Sequence, residues 1–199
     1  SIVTTTTNSS SVTYDRTIPV LSNIGIVSNN ANTSKAKTGD VISLTFTSSE
    51  TIFTPAVTFE GDTATTVTNS SNNWIATYNI TGPIPEGIID FTINFTDLSY
   101  NPGVQVIATT NSSSVIYDNS IPVLPVVSIS SNNADTARAK VGDIVTLAFT
   151  SSEGIMDVSV TIGGQVATVI GDGASTSWIG TYVMQNTVSE GNLPISIVF

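Results

Sequence analysis

Residues 111–118 read NSSSVIYD, and residues 8–15 read NSSSVTYD. The offset of 103 holds for IPVL at Ile18 and Ile121, SNNA at Ser28 and Ser131, and FTSSE at Phe46 and Phe149. One residue is then inserted, and the offset becomes 104 for Trp74/Trp178, Tyr78/Tyr182 and Phe95/Phe199. A long internal repeat signals an array of like domains, each with its own core. The phase matters as much as the period. Ser1 aligns with Val104 and Phe199 with Phe95, so the 199 residues begin and end inside a repeat.

The residue types point to strands. Val, Ile and Thr fit a pleated, half-buried surface, and strong helix formers are sparse. Short alternating runs separated by Gly, Pro, Asn and Asp predict seven strands in the first copy. We place A at 18–27, B at 41–48, C at 56–60, D at 63–68, E at 74–80, F at 88–96 and G at 104–117. Ile42, Leu44 and Phe46 form the expected core side of B. Trp74, Ala76, Tyr78 and Ile80 share a face of E, and Phe91, Ile93 and Phe95 share a face of F. The second copy repeats this as far as F, at 194–199. Its inserted residue falls between D and E, at a hairpin tip, where an extra residue is tolerated. The expectation is an all-β chain of two immunoglobulin-like sandwiches. Repeat 1 spans 15–117, repeat 2 spans 118–199 without a strand G, and 1–14 form a leading G-type strand. The junction at 117–122 holds no flexible linker, and Pro122 stiffens it.

Composition narrows the function. Fifteen Asp and Glu against five Lys and Arg give a net charge of −10, which disfavours nucleic acid and suits a divalent cation. Neither Cys nor His occurs, so thiolate chemistry, Ser-His-Asp triads and the usual zinc sites cannot be built. No apolar run reaches the length of a membrane span. No catalytic residue and no enzymatic activity are expected. The acids that recur in both copies hold structural positions rather than an evident cleft.

The motifs DRTIP (15–19), DNSIP (118–122), the GDVISLTFTSSE run (39–50) and FTDLSYNPG (95–103) resemble the tandem Ig-like repeats of large secreted bacterial surface proteins and adhesins. In that family the linker commonly reads D-x-T-x-P. The F–G loop reads D-x-x-G-N, and here Tyr100 stands where Gly is usual. The resemblance covers essentially the whole chain. It implies an extracellular or cell-surface setting and a largely structural role. Several members bind calcium between domains. The acids that would serve are Asp118 and Glu153 at one pole of repeat 2, facing Asp40 and Glu86 of repeat 1. Asp15, Glu50 and Asp97 complete the candidate set. The opposing reading is that these are solvated loop acids and turn formers.

Two further expectations concern partners. Six Asn-x-Ser/Thr sequons, at Asn8, Asn32, Asn69, Asn79, Asn94 and Asn111, leave room for glycans. Trp74 and Trp178 are expected in the core rather than as platforms for a sugar ligand. The missing strand G leaves a groove in repeat 2, with an acceptor edge at Ile195, Ile197 and Phe199. The leading strand, through Ile2, Val3, Val12 and Tyr14, would fill that groove in another copy of the same chain. Such a head-to-tail contact does not close, and it generates a filament. The alternative is a stalk or binding module excerpted from a longer adhesin array, with a surface or glycan ligand.

Overall fold

A computed structural model describes residues 2, 4–171 and 175–199. The chain divides into two compact units, Ser1–Asn119 and Ser120–Phe199. Among the described residues there is no helix, and the chain is all-β.

In unit 1 the strands are β1 (Leu21–Ser28), β2 (Lys35–Ala36), β3 (Val41–Ser48), β4 (Ala56–Phe59) and β5 (Asp62–Thr63). They continue as β6 (Thr66–Ser70), β7 (Asn73–Asn79), β8 (Gly87–Ile88), β9 (Phe91–Asn94) and β10 (Ile116–Tyr117). One sheet runs β1-β3-β7-β6 and a second runs β5-β4-β9. A third, β2-β10-β8, is made of two-residue strands. The predicted alternation decides what is inside. Ile42, Leu44 and Phe46 of β3, Trp74, Ala76 and Tyr78 of β7, and Phe91 and Ile93 of β9 are buried in one sandwich-like core. Phe46 stacks on Trp74, with ring centroids 6.3 Å apart.

Unit 2 holds β11 (Val126–Ser131), β12 (Ile144–Thr150), β13 (Ser159–Ile162) and β14 (Gln165–Val166), then β15 (Thr168–Ile170), β16 (Ser177–Val183) and β17 (Ile195–Val198). Its sheets run β11-β12-β16-β15 and β14-β13-β17. They match the two larger sheets of unit 1, and the Phe149–Trp178 stack again has centroids 6.3 Å apart. The β2-β10-β8 sheet has no counterpart among the described residues of unit 2. The extra residue of the second copy lies between β15 and β16, where residues 172–174 fall outside the described residues.

The last strand of unit 1 differs from expectation. A continuous strand over 104–117 is not formed. Val106 bridges Ile93, and β10 covers only Ile116–Tyr117. Between them the chain turns. Thr109 Oγ1 donates to Ser113 O at 2.9 Å, Ser113 N donates to Asn111 Oδ1 at 3.0 Å, and Ser112 takes φ 59°. Asn, Ser and Thr side chains compete with the ladder for backbone groups, and here the run of six such residues at 109–114 wins locally.

Candidate functional site

The first region of interest is the edge that strand G covers in unit 1. Ile93 N donates to Val106 O at 2.9 Å and Val106 N returns the bond at 3.1 Å. Further along, β10 pairs antiparallel with β8 and parallel with β2. Val115 and Tyr117 thereby enter the core, and the Tyr117 hydroxyl lies 2.7 Å from Thr38 Oγ1. On the other sheet, Ile24 N donates to Thr110 Oγ1 and Ile26 N to Ser113 Oγ, each at 2.8 Å.

In unit 2 the same places are uncovered. β17 pairs with β13 on one side only, and β11 pairs with β12 on one side only. Of the expected acceptor edge, Ile197 is half-buried, while Ile195 and Phe199 are exposed. β11 adds two exposed residues that the sequence reading did not name, Val127 and Ile129. They are the counterparts of the buried Ile24 and Ile26, and the repeat offset alone would have found them.

The leading segment is exposed. Ile2, Val12 and Tyr14 present apolar side chains to solvent, and Val3 lies outside the described residues. No described residue before Asp15 is in a strand.

The second region is a carboxylate cluster within unit 1. Asp15, Glu50 and Asp97 each offer an oxygen, and the three lie within 4.8 Å of one another. Each is positioned by its own turn. The Asp15 carboxylate accepts from Thr17 N at 2.9 Å. Asp97 is buried and staples the 97–101 loop. Its Oδ1 accepts from Ser99 N and Asn101 N, both at 2.8 Å, and its Oδ2 accepts from Asn101 Nδ2 at 2.7 Å. Tyr100 takes φ 66° in this loop, in the left-handed region that Gly fills at least cost. Its ring packs on Phe53, with centroids 5.0 Å apart, which offsets that strain.

Glu50 is the uncompensated member. Its Oε1 is buried without a hydrogen-bond partner. Burial, and then the charges of Asp15 and Asp97, push its pKa above the ordinary value. For Asp97 burial acts upward, but the bonds from the Asn101 side chain and from the Asn101 and Ser99 amides outweigh it, and the pKa falls below the ordinary value. A hard cation suits such a donor set, since it takes several oxygens and neutralises like charges.

The other four acids stand elsewhere. Asp40 Oδ2 accepts from Asn30 Nδ2 and Lys37 N, both at 2.9 Å. Asp143 repeats this with Asn133 and Lys140, and the Asn133 bond, followed by the Lys140 amide, lowers its pKa. These two are turn formers. Glu86 Oε1 accepts from Asn119 N at 3.4 Å. Asp118 belongs to unit 1 and Glu153 to unit 2, and both are half-buried.

Trp74 and Trp178 are both buried, in keeping with a core role. The asparagines of the six sequons are all exposed. No helix among the described residues is long and apolar enough to cross a membrane. Comparison with known proteins gives no matching family model and no matching curated sequence.

Proposed function

We propose that the chain is a structural subunit of an extracellular filament, in which the leading segment of one copy completes unit 2 of the next. Each unit is then an Ig-like sandwich closed by a G-type strand, from within the chain in unit 1 and from a neighbour in unit 2. One observation carries the reading, a matched difference in burial. Ile26 is 2% exposed and its counterpart Ile129 is 44%; Phe95 is 6% exposed and Phe199 is 45%. The segment that makes the difference in unit 1 is present a second time, unused. Val115 and Tyr117 are 0% and 1% exposed, and Val12 and Tyr14 are 97% and 84%. Burying each such side chain contributes about 1.5–3 kcal/mol, and pairing satisfies two open sheet edges that otherwise invite aggregation.

Electron microscopy and size-exclusion chromatography of the 199-residue chain test this. High-mass filaments are expected, and deletion of residues 1–11 should abolish them while leaving unit 1 folded. Joining a copy of 96–117 to Phe199 should give a stable monomer. If the deleted chain still assembles, or if the intact chain remains a monomer that binds a glycan or surface, the stalk or binding-module reading replaces this one.

A second reading concerns a cation and is favoured by Glu50 Oε1, buried and unpaired. Asp15, Glu50 and Asp97 would hold calcium through carboxylate oxygens at roughly 2.3–2.6 Å. The ion would tie the segment that precedes β1 to the 97–101 loop. Calorimetric titration should give heat and a rise in melting temperature with calcium, and both should vanish in Glu50→Gln. A flat titration of the intact chain removes the cation reading without touching the filament reading.

A further inference from the structure

The leading segment is exposed, yet it is not featureless. Thr6 Oγ1 donates to Ser10 O at 2.6 Å, Ser10 N donates to Asn8 Oδ1 at 3.1 Å, and Ser9 takes φ 58°. These are the three features of the turn at Thr109, Asn111, Ser112 and Ser113, residue for residue. In unit 1 that turn is engaged with β1. It directs Thr110 and Ser113 at the amides of Ile24 and Ile26, and Thr110 N donates to Ile24 O at 2.9 Å. The Asn111 side chain also lies across β1 at Gly25, with Nδ2 only 2.8 Å from where a Cβ would stand. The leading segment makes the same turn with nothing to bind. The conformation is therefore encoded locally, by side-chain bonds to the backbone.

Resting on the donor-strand reading, we propose that the turn at residues 6–10 is a preformed clip that sets the register of the donor on β11 of a second copy. In that register Thr7 and Ser10 replace Thr110 and Ser113. Their hydroxyls accept from the amides of Val127 and Ile129, for which no hydrogen bond beyond the β12 ladder is found among the described residues. Asn8 crosses the strand at Ser128, and Val12 and Tyr14 fall where Val115 and Tyr117 fall in unit 1. Preorganisation lowers the entropy lost on docking, because the turn need not be formed at the moment of contact. A strand without such a mark slips easily, since a shift of one residue reverses every side chain. The serine-rich donor has few apolar residues to prevent slippage, so a polar clip supplies the register.

Unit 2 differs here in two ways. β1 bulges between Ser22 and Gly25, with Asn23 at φ 51°, whereas β11 keeps an unbroken register with β12 from Val126 to Ser131. Ser128 also brings a Cβ to the place that Gly25 leaves bare. The obstructed atom is the end of a flexible Asn side chain, so Asn8 can shift, and Ser128→Gly should tighten the contact slightly.

Synthetic peptides copying residues 2–14 provide the test, because a free peptide has no fold to lose. Each is titrated against assembly of the intact chain, and its affinity is read by fluorescence anisotropy. The unaltered peptide should cap the groove and block growth. Asn8→Ala and Thr6→Val should each weaken capping about three- to tenfold, the loss of one net hydrogen bond. Asn8→Asp and Thr6→Ser, which can close the same turn, should restore it. Hydrogen exchange should show protection of the Val127 and Ile129 amides by the unaltered peptide and less by the weakened ones. Equal potency of all the peptides would overturn the clip and leave Val12 and Tyr14 as the only determinants. Failure of every peptide, with an intact chain that does not assemble, would instead remove the donor-strand reading and the clip with it.

Discussion

The two units repeat one pair of sheets, and among the described residues only unit 1 has a segment lying along the outer edges of β1 and β9. Their four-stranded sheets align in order, and their Phe–Trp stacks agree in both separation and interplanar angle. Several of the differences fall at places that strand G touches. β2 and β8 exist in unit 1 because β10 pairs with both. In unit 2 the same stretches of sequence form no strand. Ala36 is buried beside β10, and its counterpart Ala139 is exposed. The comparison separates two parts of one fold. The four-stranded sheet and its aromatic stack are held by the β1–β3, β3–β7 and β6–β7 pairings, which unit 2 repeats as β11–β12, β12–β16 and β15–β16. The flanks and the far side of the core depend on one strand that arrives last.

If that is so, damage to strand G in unit 1 should turn unit 1 into unit 2. Tyr117→Ala is the most severe single change. It removes a fully buried ring and its bond to Thr38, and should cost about 3–5 kcal/mol. Hydrogen exchange should rise first at β2, β8 and the outer edge of β9, while β3 and β7 stay protected. Uniform loss across unit 1 would show that the sandwich is a single cooperative body, and the division drawn from unit 2 would fail.

A milder change sharpens the same contrast. Thr38 is the hydroxyl partner of Tyr117, and Val141 stands at the matching place in unit 2. Thr38→Val should cost unit 1 about 1 kcal/mol, read by denaturant unfolding. Val141→Thr should leave isolated unit 2 unchanged. It should strengthen capping by a peptide of residues 2–14 a few-fold, because only then does Tyr14 bring a hydroxyl to meet it. An effect of Val141→Thr in the absence of peptide would mean that Thr acts by some other contact.

β3 was legible to the residue, since Val41–Ser48 alternates without interruption. The buried faces of β7 and β9 were legible for the same reason. Strand G was not, because Thr109–Ser113 satisfies its backbone with its own side chains, a competition that periodicity does not see. β6 begins at Thr66, three residues later than expected, because the chain first makes the short pair of β4 with β5. The acids divided along similar lines. Asp40 and Asp143 carry the sequence signature of turn formers and are turn formers. The meeting of Asp15, Glu50 and Asp97 depends on three loops separated by 35 and 47 residues converging in space, and only the assumed fold pointed to it.

The smallest expected effect lies at that cluster, and its sign follows from the two shifted acids. Glu50 has a folded pKa above its ordinary 4.5, so the folded unit holds that proton more tightly than the unfolded chain does. Its contribution to stability is full below 4.5 and is lost as pH rises through the folded value. Asp97 has a folded pKa below its ordinary 3.8. Its contribution is present above 3.8 and is lost as pH falls through the folded value. Unit 1 should therefore be most stable in mild acid and slightly less so at neutral pH without a cation. Glu50→Gln removes the neutral-pH loss, so it should raise the melting temperature slightly at pH 7 and leave it unchanged near pH 4. Calcium should raise the melting temperature of the unaltered unit at pH 7 and not that of the variant, since the ion relieves the same repulsion that protonation does. Unit 2 supplies an internal control, because no such cluster of three acids is found in it among the described residues. Its melting should not follow either change. A pH profile for unit 1 that Glu50→Gln leaves unaltered, with calcium equally inert on both units, would reduce the cluster to three solvated loop acids.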